Sequence, residues 1–459
     1  MGLQGRSSVD NAVTHYYDRV QAALDRLGKH RQGNGSSGFA PEGNAPSGFV
    51  PEFLLPAPCR RLADFLAAST MASVPLGSHR GVRLALLDLM GNPATRTAKT
   101  FAALIVVARA IRHVRETGER LLLLTPSSAN GATALRDAVL RAVEHGLVTP
   151  DELRIACVVP ANSVDKVWSS GLSYDAGLRA RNPVIVNEGD GTAVRELARQ
   201  GAEAFAAEGE HRAGTRVWQA PGLDDHRAAD SLRAFYEADF MPLRGGTRWH
   251  AHAVAGAFGL LGHHLGTELL ERAAPHDTPR PGYLLVQHLR TPDLVLDLHG
   301  ERRAPVYRLD PASGLYAQHA SPHFPARTFD PDESIDPTFC TTHPTTAPLV
   351  SSIVREQGGS GIVVSLHECL ERYGQARALA GTGGVQLPYD PRHLREWSLV
   401  MALTGTLLAI ERGLVRADEV VVHGSGSYDS GDFTPLPAPT LHTARNPADL
   451  AGILERATG

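Results

Sequence analysis

Between residues 120 and 190 the chain alternates short apolar runs with helix-length segments, and this alternation constrains the fold more than any other feature. The runs are Leu121–Leu124, Ile155–Val159 and Pro183–Val186. Each is short and apolar throughout, and segments of helical character separate them. They predict buried strands of a parallel sheet joined by crossover helices. Right-handed crossovers gather the loops at the strands' carboxyl ends along one edge of the sheet. One such loop reads Thr125-Pro126-Ser127-Ser128-Ala129-Asn130-Gly131-Ala132-Thr133 and leads directly into a helix. Upstream, Gly91-Asn92-Pro93-Ala94-Thr95-Arg96-Thr97-Ala98-Lys99 precedes a long apolar helical pattern through Phe101, Leu104, Ile105, Ala108 and Ile111. Lys99 and Asn130 lie 31 positions apart (130 − 99).

A lysine at a helix start beside apolar residues is partly desolvated, which favours its neutral, nucleophilic form. A Ser/Asn turn at the start of a second helix offers backbone N–H groups suited to a carboxylate. The chain contains three lysines, Lys29, Lys99 and Lys166. Of these, Lys99 alone combines a helix start with an apolar neighbourhood.

This pair of motifs resembles the fold-type II pyridoxal-phosphate enzymes, the group of threonine synthase, cysteine synthase and the tryptophan synthase β chain. The resemblance extends in order over roughly residues 80–435. It implies a two-lobed α/β architecture with parallel-rich sheets, here with an N-terminal helical arm. It also implies pyridoxal 5′-phosphate carried on Lys99 as a Schiff base, with Asn130 beside the pyridoxal hydroxyl. Thr97, Ser127, Ser128 and Thr133 are implied to serve an amino-acid substrate. The motifs depart from the family pattern: Ala98 and Phe101 stand where an aromatic and an arginine are usual, and Ala129 replaces a glycine.

Near the C-terminus, Glu419–His423 reads as a strand running into Gly424-Ser425-Gly426-Ser427. The resemblance places a hydroxyl at that point against the pyridine nitrogen, Ser425 first and Ser427 second. A neutral partner there favours elimination and replacement over transamination. The phosphate is expected after the strand Tyr283–Gln287, where the family has a glycine-rich loop. This chain has His288-Leu289-Arg290-Thr291-Pro292 with no glycine, so His288, Arg290 and Thr291 are expected to hold the phosphate through side chains. Gly381-Thr382-Gly383-Gly384 is the alternative by composition, although the family has no phosphate contact there.

The domain reading places a helix and flexible linker at 1–52, the linker spanning Lys29–Pro51. It places a large lobe at 53–90 and 205–459 and a small lobe at 91–204. A Gly/Ala-rich helix is expected from Ala251 to Leu265, and a strand over Val306–Asp310. His250, His252, His263 and His264 invite a metal reading. At i and i+2 on a helix, however, His250 and His252 face different sides, so no metal site is expected.

The net charge of −4 is scattered along the chain, which argues against nucleic acid and anionic membranes as partners. No apolar run is long enough to span a bilayer, and the N-terminus lacks a signal-peptide core. Cys59, Cys157, Cys340 and Cys369 form no C-x-x-C pair, in keeping with a reducing cytoplasm. No nucleophile elbow supports a hydrolase.

The reading is therefore a threonine synthase-like lyase or transferase working by β- or γ-elimination or replacement, in specialised biosynthesis and as a homodimer. Two readings stand beside it. One is a catalytically degenerate member acting as a binding or scaffold protein, and the other is an unrelated α/β enzyme in which Lys99 is incidental.

Overall fold

The structure, a computed structural model, describes residues 5–33, 49–208, 214–243, 245–274 and 280–459. The expected linker falls mainly on residues 34–48, outside the described residues. The chain divides into two compact α/β units. The first draws on Met1–Val9, Thr70–Gly91 and Arg233–Asp432, the second on Asp10–Ser69, Asn92–Leu232 and Phe433–Gly459.

Strands are numbered in chain order. The first unit contains β1 (Ser7–Val9), β2 (Met71–His79), β3 (Val82–Asp88), β8 (Arg248–Ala253), β9 (Gly282–His288), β13 (Gly359–Val364) and β14 (Glu419–Gly424). They form one sheet in the order β1-β2-β3-β14-β8-β9-β13. From β3 to β13 all pairings are parallel, and β1 and β2 add an antiparallel edge. The second unit holds β4 (Arg120–Pro126), β5 (Leu153–Pro160), β6 (Val184–Asn187), β7 (Thr215–Gln219) and β15 (Leu441–Thr443), in the all-parallel order β15-β6-β5-β4-β7. The three runs read from the sequence as strands are thus β4, β5 and β6. β5 is buried along its whole length, as expected for a parallel strand covered on both faces. Residues 215–219 and 441–443 complete this sheet from outside the 91–204 span.

The helices that carry the argument are α1 (Lys99–Thr117), α2 (Asn130–Glu144), α3 (Leu232–Phe240), α4 (Phe258–Ala273) and α5 (Ser398–Glu411). In the first unit, α5 packs on one face of the sheet. Trp249 and Ala251 of β8, Leu284 and Val286 of β9, and Val420 and Val422 of β14 form a core with Leu399, Met401 and Leu403 of α5. Side chains alternate along a strand, so His250, His252, Tyr283 and His423 lie on the opposite face.

Two expectations are corrected here. Residues 248–253 form a central strand, and the helix expected from Ala251 starts at Phe258. Alanine and histidine are weak strand formers, but pairing with β14 on one side and β9 on the other overrides that preference. The strand expected at Val306–Asp310 is reduced to β10 (Arg308–Asp310). It pairs with β11 (Leu315–Ala317), which in turn pairs with β12 (Arg327–Thr328), in a separate three-stranded sheet. Among the described residues, no helix is long and apolar enough to cross a membrane.

Candidate functional site

In the second unit, Lys99 is the first residue of α1 and is half-buried. Asn92 organises the loop before it. Its backbone oxygen accepts from Thr95 and Arg96, and its side-chain oxygen accepts from the Ala94 N–H. Its Nδ2 donates to Thr100 Oγ1 (3.2 Å) and to Asp137 Oδ2 on α2 (2.9 Å). The lysine loop is therefore fastened to the helix that Asn130 opens. Arg96 takes a left-handed backbone (φ 47°), and Thr97 Oγ1 is buried without a hydrogen-bond partner. An orphaned hydroxyl two residues before Lys99 is a polar vacancy suited to a ligand group.

The second motif sits at the carboxyl end of β4. Ser127 N–H donates to Val158 O of β5 (2.9 Å), and Ser127 Oγ accepts from the Ala129 and Ala132 N–H groups (3.2 and 2.9 Å). Ala129 is fully buried with φ 116° and ψ −56°, and Asn130 follows as the first residue of α2. The turn thus holds an alanine at a positive φ that favours glycine, at a cost in strain. Ser128 and Asn130 are half-buried at this turn. Thr133 is buried, and its hydroxyl accepts from the Trp168 N–H (3.2 Å). Lys166 is buried in the turn after β5, with 4% exposure, and Lys29 is exposed.

In the first unit, the carboxyl ends of β14, β8 and β9 share one sheet edge, with neighbouring strands about 4.8 Å apart. Ser425 and Ser427 follow β14, the former half-buried and the latter buried. Their loop is held by Leu399 N–H on Gly426 O (3.1 Å) and by Arg395 and Glu396 N–H on Tyr428 O.

The phosphate residues expected after β9 are placed differently. His288 is fully buried, with its ring nitrogens on Phe339 O (3.0 Å) and the Ile335 N–H (3.3 Å), and Thr291 donates to Phe339 O (3.2 Å). Burial also lowers the His288 pKa. Both side chains secure the segment 335–339 rather than line an open anion loop. Arg290 alone is exposed. Gly381 and Thr382 end a helix (Tyr373–Thr382), so the alternative loop is a helix terminus of the wrong polarity for an anion.

The glycine-bearing loop on this edge is Val254-Ala255-Gly256-Ala257, between β8 and α4 and beside the Ser425 loop. Ala257 is left-handed (φ 56°) and provides no side-chain cap, so α4 presents its N-terminus to the loop. A Cβ on Gly259, in the first turn, would lie 2.7 Å from the Arg233 guanidinium. A strand, a glycine turn and an uncapped helix start beside a buried arginine are the components of an anion site. The sequence reading missed this loop by taking β8 for helix. The signal was present in the alternation Trp249-His250-Ala251-His252-Ala253, punctuated by Gly256.

Beneath that loop lies a buried polar cluster. Arg233 Nη1 donates to His423 Nδ1 (3.2 Å), and His423 Nε2 meets His250 Nδ1 (2.9 Å). Glu237 Oε2 lies 2.8 Å from His263 Nε2 and 3.3 Å from His250 Nε2. Burial drives the pKa of His263 down to about 4 and those of His252 and His423 well below the usual histidine range. Burial alone would raise the Glu237 carboxyl, but the two histidines against it hold it well below.

The profile of DUF6002, a family of unknown function, matches residues 8–458. No curated protein sequence matches the chain. Among solved structures, the pyridoxal-phosphate-bound threonine synthase of Brucella melitensis is similar at a TM-score of 0.52 and 12% identity, over 96% of this chain and 88% of that one. The threonine synthase of Escherichia coli is similar at 0.51 and 13%, over 81% and 78%. At these identities the likeness is one of fold, and the fold is that of the fold-type II enzymes.

Proposed function

The chain belongs to the DUF6002 family, and we propose that it is a pyridoxal 5′-phosphate-dependent enzyme acting on an amino acid, a lyase or transferase working by β- or γ-elimination or replacement. The observation that carries this reading is Ala129. A buried alanine is held at φ 116°, at a strain of about 1–3 kcal/mol. The turn so maintained sets Asn130 at the head of α2, on the unit where Lys99 heads α1 and Asn92 ties the two together. Backbone strain held at one helix start and an orphaned buried hydroxyl two residues before the other are both features that cluster at ligand sites.

When bound, the cofactor supplies an electron sink for the carbanion left when an amino acid loses its α-proton. Lys99 Nζ would hold the cofactor and would serve as the base for the substrate's Cα proton. The Asn130 amide donates to the cofactor's ring oxygen. Thr97 Oγ1 and the Ser128 hydroxyl serve the substrate carboxylate, while Ser127 holds the turn and Thr133 holds the Trp168 backbone. Ser425, or Ser427 in its place, would offer a neutral hydroxyl to the cofactor's ring nitrogen. The phosphate belongs to the 254–259 loop, with the first N–H groups of α4 and the Arg233 guanidinium as donors.

The test is covalent mapping. Full-length protein is incubated with pyridoxal phosphate, reduced with borohydride and digested. The expected result is one pyridoxyl label on the Lys99 peptide, lost in Lys99→Ala with the fold intact. Label on Lys166, or none at all, overturns the assignment.

A further inference from the structure

We propose that Glu237, His250 and His263, none of which is assigned to the cofactor, form a binding site for a divalent transition ion of the zinc class. One ligand atom from each, Glu237 Oε2, His250 Nε2 and His263 Nε2, lies within 4.8 Å of the others. In a tetrahedral zinc site with bonds of about 2.0–2.1 Å, ligand atoms stand about 3.3 Å apart. The measured separations from Glu237 Oε2, 2.8 Å and 3.3 Å, are already close to that spacing.

The orientation of His250 gives the second, independent indication. His250 is 1% exposed, and its Nε2 has no hydrogen-bond partner although a carboxylate oxygen lies 3.3 Å away. The nitrogen is near the oxygen but not directed at it. Two ligand atoms that converge on a third point produce this geometry. A buried imidazole nitrogen left without a partner is otherwise destabilising.

The outer contacts are those that orient ligands in metal centres. Glu237 Oε1 is held by Arg248 Nη1 (2.7 Å), and Arg248 is itself neutralised by Glu419 (2.7 Å). His263 Nδ1 meets the Tyr283 hydroxyl (3.0 Å), and His250 Nδ1 meets His423 Nε2 (2.9 Å). The three ligands come from β8, α3 and α4, and an ion would lock that strand to both helices beneath the 254–259 loop. Two imidazoles and one carboxylate suit zinc, cobalt or iron(II) rather than magnesium or calcium.

The Arg233 guanidinium lies 3.2 Å from His423 Nδ1, and His423 Nε2 lies 2.9 Å from His250 Nδ1, so a fixed positive charge stands one imidazole away from a ligand of the ion and opposes its binding.

Chelator-treated full-length protein, free of pyridoxal phosphate, is titrated with Zn(II) and Co(II). The expected results are one ion per chain by elemental analysis, the intense visible d–d absorption of low-coordinate Co(II), and two imidazole ligands by X-ray absorption. Glu237→Gln should weaken Zn(II) at least tenfold, Arg233→Met should tighten it, and His264→Gln should leave it unchanged. Failure of the wild-type protein to retain an ion, or Zn(II) affinity unaltered in a folded Glu237→Gln variant, overturns the proposal. Because the wild-type spectrum and ligand count need no variant, misfolding of Glu237→Gln cannot shelter it.

Discussion

Gly259→Ala offers a direct measurement of where the cofactor phosphate is held. A methyl at this position would lie 2.7 Å from Cζ, Nη1 and Nη2 of Arg233, so the flat guanidinium must retreat by several tenths of an ångström. Arg233 is 5% exposed and donates to His423 at 3.2 Å, so that displacement lengthens an already long bond. Leaving a buried donor unsatisfied is destabilising by about 1–3 kcal/mol. Alanine gains up to about 1 kcal/mol of helix propensity over glycine, so the fold should survive. The anion site, in contrast, loses both its close backbone approach and the placement of its arginine. The dissociation constant for pyridoxal phosphate, read by absorbance titration, should rise at least tenfold, about 1.4 kcal/mol. Gly381→Ala is the control, since a methyl there meets nothing within 4 Å, and its affinity should equal that of the wild type. An unchanged constant for Gly259→Ala, or a weakened one for Gly381→Ala, would refute the placement of the phosphate at the β8–α4 turn.

Three further outcomes are expected. Arg290→Ala should leave cofactor affinity within twofold of the wild type, about 0.4 kcal/mol, because Arg290 is exposed on the loop after β9; the same titration checks it. Ala129→Gly should be less destabilising than Ala132→Gly by about 1–3 kcal/mol in urea unfolding, since both methyls are fully buried but only residue 129 is strained; equal losses would remove the strain argument. Gly405→Ala should lower the melting temperature of the first unit, because its methyl would lie 2.6 Å from Val286 on β9 and overpacking by about 1–3 kcal/mol outweighs helix propensity. Val286→Ala in the same chain should recover part of that loss.

The parts of the fold legible in the sequence are those where local pattern and tertiary role coincide. β4, β5 and β6 are short, apolar and buried on both faces, so their composition already states their environment. Lys99 and Asn130 were legible as helix starts, because a helix start is a local event. β7 escaped because the lobe boundary was set at residue 204 although the second unit runs unbroken to Leu232, and β15 because the chain leaves that unit after Leu232 and returns at Phe433. The three-residue β15 contains no pattern that could reveal its pairing with β6.

The largest miss has a single cause. Trp249-His250-Ala251-His252-Ala253 has the period of a strand, but its alanines and histidines resemble helix when judged by propensity. Taken as helix, His250 and His252 diverge and the following Gly256 falls inside an element. Taken as strand, the two histidines share a face, and parallel register with β14 brings His423 onto it. Gly256 then becomes the turn at the carboxyl end of β8. One period assignment therefore decides both the β8–α4 turn and the histidine cluster. Pairing decided it in turn, because a central strand flanked by β14 and β9 must present alternate faces whatever its residues prefer. The α5 face is filled by Trp249 and Ala251 with leucines and valines of neighbouring elements. The opposite face is polar at His250, His252, Tyr283 and His423, so one buried strand separates an apolar core from a polar cluster.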